Sequence, residues 1–231
     1  MTCLLTHLHD DGVLTLSLNR PDKLNAIHNA LARALLVALA DAAQNPQVRV
    51  LRLRGEGRAF CAGRDLSEPP TEDDLVLVQA VSQALVRLPQ PVVAEVQGWA
   101  VGAGLEWMLN ADLVVASREA RFKLPEAELG VFVTGGLSAT LPASVGLMRA
   151  KGLVWLGQPF DAQQAQAWGL VWQVVDAAAL PQTAADLATT LAQRSPQVMA
   201  AYKRVFNGIG LSAFDHAVAQ ENAAQRALQA P

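Results

Sequence analysis

Apolar and polar residues alternate through 12–19, Gly-Val-Leu-Thr-Leu-Ser-Leu-Asn, and again through 48–54, Val-Arg-Val-Leu-Arg-Leu-Arg. Period two with one apolar side predicts two strands that each turn one face to a core. Between them Arg20-Pro21-Asp22-Lys23 makes a turn, and the Ala- and Leu-rich stretch 29–44 has helical spacing, ended by Asn45-Pro46. Residues 71–88 repeat the helical period, with Thr71 as N-cap and acids in the first turn. The unbroken apolar run 92–96 predicts a buried strand, 103–110 a short helix, and 113–116 and 121–123 two more strands. His7 and His9 alternate on an expected first strand.

Beyond that point 136–156 reads as helix with breaks at Pro142 and Gly146, and 161–168 as a short helix capped by Gly169. The last strand is expected over 170–175. Residues 180–228 predict helices only, one starting near Pro181 and one near Ser195-Pro196. Strands and helices alternate through the first three quarters, which predicts an α/β fold. The division expected is a core over 1–178 and a helical region over 179–231.

Composition narrows the functional classes. The chain has 231 residues, 52% of them hydrophobic and only 17% charged. So low a charge suggests a surface partly covered by other subunits. A net charge of −3 gives no basic face for nucleic acid. Cys3 and Cys61 make no disulfide framework and suit a reducing, cytoplasmic setting. The first eleven residues place no basic segment before an apolar one, so no secretory leader is expected. The apolar region 92–116 is interrupted by Glu95, Glu106 and Asp112 and is not read as a membrane span. His7, His9, His28 and His216 share no ligand spacing with the cysteines, so no metal is expected.

Candidate chemistry gathers at two small-residue loops that follow strands. In Gly102-Ala103-Gly104 a strand turns into a helix, where free backbone N–H groups attract developing negative charge. The same glycines also serve tight strand–helix packing, and both readings stand. Ala59-Phe-Cys-Ala-Gly63-Arg-Asp65-Leu66 follows the second strand in the same way. Glu106 lies in the first helical turn, and Glu126 follows Leu124-Pro125 in an apolar setting. Taken alone, Glu106 reads as a cap on its own helix and Glu126 as a surface residue; the other reading is general acid–base chemistry. Glu128 reads as a solvated or interface residue.

These segments, in this order and spacing, resemble the crotonase, or enoyl-CoA hydratase/isomerase, family over nearly the whole chain. The resemblance rests on Asn19-Arg20-Pro21-Asp22-Lys23-Leu24-Asn25-Ala26, on Phe60 to Leu66, on Gln97 to Glu106 and on Phe122 to Gly130. A later landmark is Ala167-Trp168-Gly169-Leu170-Val171. It implies a crotonase (ClpP-like) fold of repeated β-β-α units that takes an acyl-CoA thioester. It further implies an oxyanion hole from the backbone N–H groups of Arg64 and Ala103, with Glu106 and Glu126 holding and activating one water. Coenzyme A is expected near Arg20, Lys23, Ala62, Asp65 and Leu66. No cofactor is implied beyond the coenzyme A of the substrate. A homotrimer or dimer of trimers is implied, with no nucleic acid and no membrane as partner.

Two segments depart from the family pattern. Gly130-Val-Phe-Val-Thr-Gly-Gly-Leu-Ser138 keeps Gly135 and Gly136 but loses the usual proline and threonine, and Phe132 and Trp107 are expected to narrow the acyl pocket or to favour an aromatic or branched acyl group. Relative to typical members the helical region is short, which implies a more open coenzyme A site or a tail that packs differently. The activity expected is hydration of a trans-2-enoyl-CoA. The alternatives are a Δ3,Δ2-enoyl-CoA isomerase and a catalytically silent acyl-CoA-binding protein.

Overall fold

Residues 2–67 and 71–229 are described in the computed structural model of the chain. β1 (Leu4–Leu8) pairs antiparallel with β2 (Val13–Leu18), from Leu4 opposite Leu18 to Leu8 opposite Leu14. The following strands of the main sheet run parallel: β3 (Val50–Gly55), β4 (Val92–Val96), β6 (Leu113–Ser117) and β9 (Gln173–Val175). The sheet order is β1-β2-β3-β4-β6-β9. Parallel neighbours need crossovers, and helices supply them. α1 (Asn29–Gln44) links β2 to β3, and α2 (Glu72–Arg87) links β3 to β4. Thr71 caps α2 in a capping box with Asp74.

Helices cover both faces of this sheet. Leu16, Leu18, Leu51, Leu53, Val92 and Val96 pack toward Leu31, Leu35 and Leu39 of α1 and Val81 and Leu85 of α2 in the main core. Val13, Val50, Val93 and Val115 form a second cluster with Leu180, Ala184, Ala188 and Ala192 of α8 (Leu180–Ala192). Alanine at every fourth position lets α8 lie close against the strands. The polar alternation of β2 and β3 predicts a solvated face, and α8 covers it instead. Thr15, Ser17, Arg52 and Glu95 are consequently buried. Charge at such a place must be paired, and Arg52 Nε donates to Glu95 Oε2 at 2.7 Å.

Two further expectations need correction. Pro142 does not break its helix; α5 (Leu137–Val145) runs through it, and Gly146 alone separates α5 from α6 (Leu147–Leu156). The last strand shortens to Gln173–Val175 because Leu170 and Val171 turn into the main core as loop. Trp99–Val101, for which the sequence predicts no element, is a strand, β5. It pairs in parallel with β7 (Arg121–Lys123), which pairs antiparallel with β8 (Phe160–Asp161). Phe122 stacks on Phe160 with ring centroids 5.3 Å apart and closes this small sheet.

The last two helices dock through buried polar groups. α9 (Pro196–Gly210) inserts Lys203, whose Nζ donates to Leu85 O at 3.0 Å and Gln90 O at 3.1 Å and pairs with Asp112 at 2.7 Å. α10 (Phe214–Gln229) packs on α5 and, through Arg87–Asp215 and Gln79–Asn222, on α2. Among the described residues no helix is long and apolar enough to cross a membrane.

Candidate active site

The two glycine-bearing loops come together as neighbouring extended segments. Phe60 N–H donates to Gln97 O (2.8 Å), Cys61 N–H to Trp99 O (3.0 Å) and Val101 N–H to Cys61 O (3.0 Å). On its other side the 59–65 segment meets 24–27: Ala62 N–H donates to Leu24 O, and Ile27 and Arg64 form a parallel bridge. In that bridge Gly63 O and Asp65 N–H bond to Ile27, so Arg64's own N–H turns to the opposite side, where β5 leads into the next helix. A Cβ at Gly63 would stand 2.7 Å from Val101 O and 3.7 Å from Ala103 N, which measures how closely the loops approach.

Ala103 opens α3 (Ala103–Leu109), and the first N–H groups of a helix have no acceptor within it. Gly102 precedes it at φ +50° and ψ −126°, a conformation that glycine adopts without strain. Glu106 sits one turn further on and is 1% exposed. It does not cap its own helix. Its Oε1 accepts from Thr134 N–H, and its Oε2 accepts from Thr134 Oγ1 and Gly135 N–H, all at 2.8 Å. An ionised carboxylate has about four acceptor sites, so this arrangement leaves one for a further donor, on Oε1.

Glu126 opens α4 (Glu126–Leu129), which follows β7, and is 7% exposed rather than on the surface. Its Oε2 is buried without a hydrogen-bond partner. The two carboxyl groups are differently held and electrostatically linked. Burial raises both above the ordinary glutamate range. For Glu106 the Thr134 and Gly135 donors oppose that rise. For Glu126 the nearby Glu106 charge adds to it, taking Glu126 to about 8. Two carboxyl groups so placed do not ionise independently: charge on one opposes charge on the other.

Asn25, fully buried, holds the first loop in place. Its Oδ1 accepts from Arg20 N–H at 2.8 Å, and its Nδ2 donates to Glu56 O (2.9 Å) and Ala59 O (2.8 Å). Arg20 reaches Asp65 at 2.9 Å, and donors from Ser67, then Arg20, hold Asp65 down at about 2. The Arg64 guanidinium pairs with Asp74 of the α2 cap at 2.8 Å. Lys23 ends the short helical turn Pro21–Lys23 and is exposed, Leu66 is exposed, and Ala62 is half-buried within the first loop. Trp107 is fully buried and donates from Nε1 to Val78 O of α2, so it belongs to the core and narrows no open pocket. Glu128 is exposed and pairs with Lys123. Among the described residues no three His, Cys, Asp or Glu side chains are grouped to hold a metal ion.

Thr134, Gly135 and Asn25 were not singled out by sequence reasoning as site residues. Gly135 had a signal, as one of two glycines kept in an otherwise altered run. Two of the donors to Glu106 are backbone groups, which no residue type announces.

Known proteins resemble this chain throughout. The model of the family described as enoyl-CoA hydratase/isomerase matches residues 9–230. A 1,2-epoxyphenylacetyl-CoA isomerase of Escherichia coli (strain K12) is 36% identical over 236 residues, covering 98% of this chain and 90% of that protein. A 2,3-dehydroadipyl-CoA hydratase of the same strain is 38% identical over 213 residues, covering 90% of this chain and 84% of that protein. The crystal structure of an enoyl-CoA hydratase from Mycobacterium avium subsp. paratuberculosis K-10 matches with a TM-score of 0.93 at 32% identity, over 99% of this chain and 91% of that one.

Proposed function

The chain belongs to the enoyl-CoA hydratase/isomerase family, and from that premise we propose that it hydrates a trans-2-enoyl-CoA to the 3-hydroxyacyl-CoA. The observation that carries this reading is the unequal carboxyl pair: Glu106 with three donors, and Glu126 with a buried, unpartnered Oε2. Hydration needs one group to take a proton from water and another to give a proton to carbon. In this reading Glu106 takes the water proton as the oxygen adds to C3, and Glu126 delivers its own proton to C2. One proton then passes from Glu106 to Glu126 and restores the starting state. The N–H groups of Arg64 and Ala103 hold the thioester oxygen as it becomes enolate-like, each contributing about 3 kcal/mol.

The coenzyme A moiety lies, in this proposal, along the first loop near Arg20, Lys23, Ala62, Asp65 and Leu66. Lys23 is the exposed cation of that set; Arg20 acts mainly through Asp65, whose position it fixes. A homotrimer, or a dimer of trimers, is the assembly proposed. The exposed apolar side chains of α6 and α9 support it, among them Met148, Trp155, Phe206 and Ile209. Light scattering that finds a monomer at micromolar concentration would contradict it.

The test is incubation with crotonyl-CoA, followed by the loss of the conjugated thioester absorbance. Glu126→Gln is expected to lower kcat by about 100-fold or more with the fold intact. Retention of more than about a tenth of the rate would remove Glu126 from acid–base catalysis. A second reading is isomerisation of a 3-enoyl-CoA, for which the buried, unpartnered Glu126 Oε2 could serve alone; the E. coli isomerase acts, by its name, on an epoxide instead. Isomerisation of a 3-enoyl-CoA moves a proton along the chain with one carboxyl, so such an isomerase tolerates Glu106→Ala and a hydratase does not. Acyl-CoA binding without turnover of either substrate would instead support the silent binding protein.

A further inference from the structure

A third buried carboxylate stands behind the pair. Glu221, in the middle of α10, is 1% exposed. Its Oε2 accepts from Gly136 N–H at 2.9 Å and its Oε1 from Ser138 N–H at 2.8 Å. These donors continue the turn whose preceding N–H groups, on Thr134 and Gly135, hold Glu106. The turn therefore lies between two carboxylates that take its N–H groups in succession, one from α3 and one from α10. Nothing in the proposed chemistry uses Glu221 directly.

The rest of α10 supports the same segment. Gln225, one turn beyond Glu221, accepts from Phe132 N–H through Oε1 at 2.6 Å. The ring of Phe214 fills the space that a side chain at Gly136 would need. Asn222 and Gln79 exchange amide hydrogen bonds that fix α10 to α2. A carboxylate so enclosed is costly unless its bonds repay it. Burial, with the Glu106 charge adding to it against the Ser138 and Gly136 donors, raises Glu221 to about 8.

We infer that Glu221 is a positioning residue: by gripping Gly136 and Ser138 it fixes the Thr134–Gly135 donors and so the placement of the Glu106 carboxylate. This rests on the proposed role of Glu106 in hydration. A loosened turn leaves substrate binding to the first loop unchanged but misplaces the base. Misplacement of about an ångström costs about 100-fold in rate.

The experiment compares wild type, Glu221→Gln and Glu221→Ala as full-length protein, by crotonyl-CoA kinetics and by amide hydrogen exchange without substrate. Glu221→Ala is expected to lower kcat about 10- to 100-fold, with KM held within about twofold. Glu221→Gln keeps the shape and one good acceptor and is expected to fall between the two. Exchange at the Thr134 and Gly135 amides should quicken by about tenfold or more, with β4 amides unchanged. Asp215→Asn loosens the exposed contact of α10 with Arg87 without touching the turn, and should leave kcat unchanged. Wild-type kcat in both Glu221 variants, or an equal loss in Asp215→Asn, would overturn the inference. If wild type does not turn over crotonyl-CoA, the hydratase reading fails by itself. The exchange rates then still decide the clamp, and unchanged Thr134 and Gly135 exchange overturns it. Should Glu221→Ala fail to fold, Glu221→Gln alone gives the same decision.

Discussion

Glu126 Oε1 occupies the space that a side chain on Gly102 would need: a Cβ there would stand 2.8 Å from it. The residue before the first N–H of α3 is thus bare on the side that faces the carboxyl of α4. Gly102→Ala presses a methyl against Glu126 and forces alanine into φ +50°, ψ −126°. Such backbone strain costs about 1–3 kcal/mol. Displacement of Glu126 and of Ala103 N–H together should lower kcat by about 100-fold or more. Denaturant unfolding and crotonyl-CoA turnover measure the two effects, and a variant with wild-type kcat would contradict the placement of both groups.

The raised Glu126 carboxyl makes both activity and stability pH-dependent. An acid that must be protonated to act loses function as pH rises through its value, so kcat should fall above about pH 8. The stability effect has the same direction. A carboxyl raised on folding favours the folded state below its unfolded value, and that advantage is lost as pH rises from about 4.5 through about 8. Glu126→Gln removes the ionisation, so at pH 9 it should be more stable than wild type by about 1 kcal/mol or more and melt at a higher temperature. Calorimetry at pH 5 and 9 reads the difference. A wild-type melting temperature that rises between those two pH values would contradict the burial of an ionisable Glu126.

What could be read from the sequence follows from the range of each interaction. The helix at Asn29–Gln44 was expected with those limits, since its Ala–Leu period and Asn45-Pro46 are local signals. β4 was likewise expected at Val92–Val96. That the polar face of β2 is covered has no local signal, because α8, which covers it, lies more than 160 residues along the chain. The Trp99–Val101 strand was missed because three residues carry no period. Glu106 and Glu126 became a pair only through the family resemblance; nothing in a spacing of twenty residues brings them together. Thr134, Gly135 and Glu221 stayed hidden for a different reason. Backbone donors have no signature, and a glutamate on a helix that also carries Asp215 and Arg226 reads as solvated.

Among the described residues Thr134 supplies the one side-chain donor to Glu106. A donor to the charged form lowers a carboxyl pKa, so its removal raises Glu106 further. A hydrogen bond to a charged group is worth about 1.5–3 kcal/mol, equivalent to about one pH unit or more. Thr134→Val keeps the backbone N–H and the side-chain shape. It should shift the acidic limb of the kcat profile to higher pH by about that amount, with KM little changed. An unmoved acidic limb would mean that Glu106 is not the base that titrates there.

Glu95 ties the sheet to α8 through charge. Its Oε2 accepts from Arg52 Nε at 2.7 Å, its Oε1 lies 3.3 Å from Arg54 Nε, and Arg52 Nη2 donates to Pro181 O at 2.9 Å. The cluster adjoins the Val50, Val93, Leu180 and Ala184 packing and takes no part in the site. Breaking a buried pair by removing one partner leaves a charge without compensation and costs about 3–5 kcal/mol. At about 2–4 °C per kcal/mol for a chain of this size, Glu95→Ala should lower the melting temperature by about 10 °C. Replacing Arg52 and Glu95 together by apolar residues removes both charges, although Arg54 then keeps only Glu56 near it. That double variant should recover most of the loss, since apolar substitutes for buried pairs are often neutral. Turnover at low temperature should be close to wild type in both, because neither side chain contacts the Glu106–Glu126 pair or its donors. A loss below about 1 kcal/mol for Glu95→Ala would show that the cluster is solvated as an ordinary surface pair is.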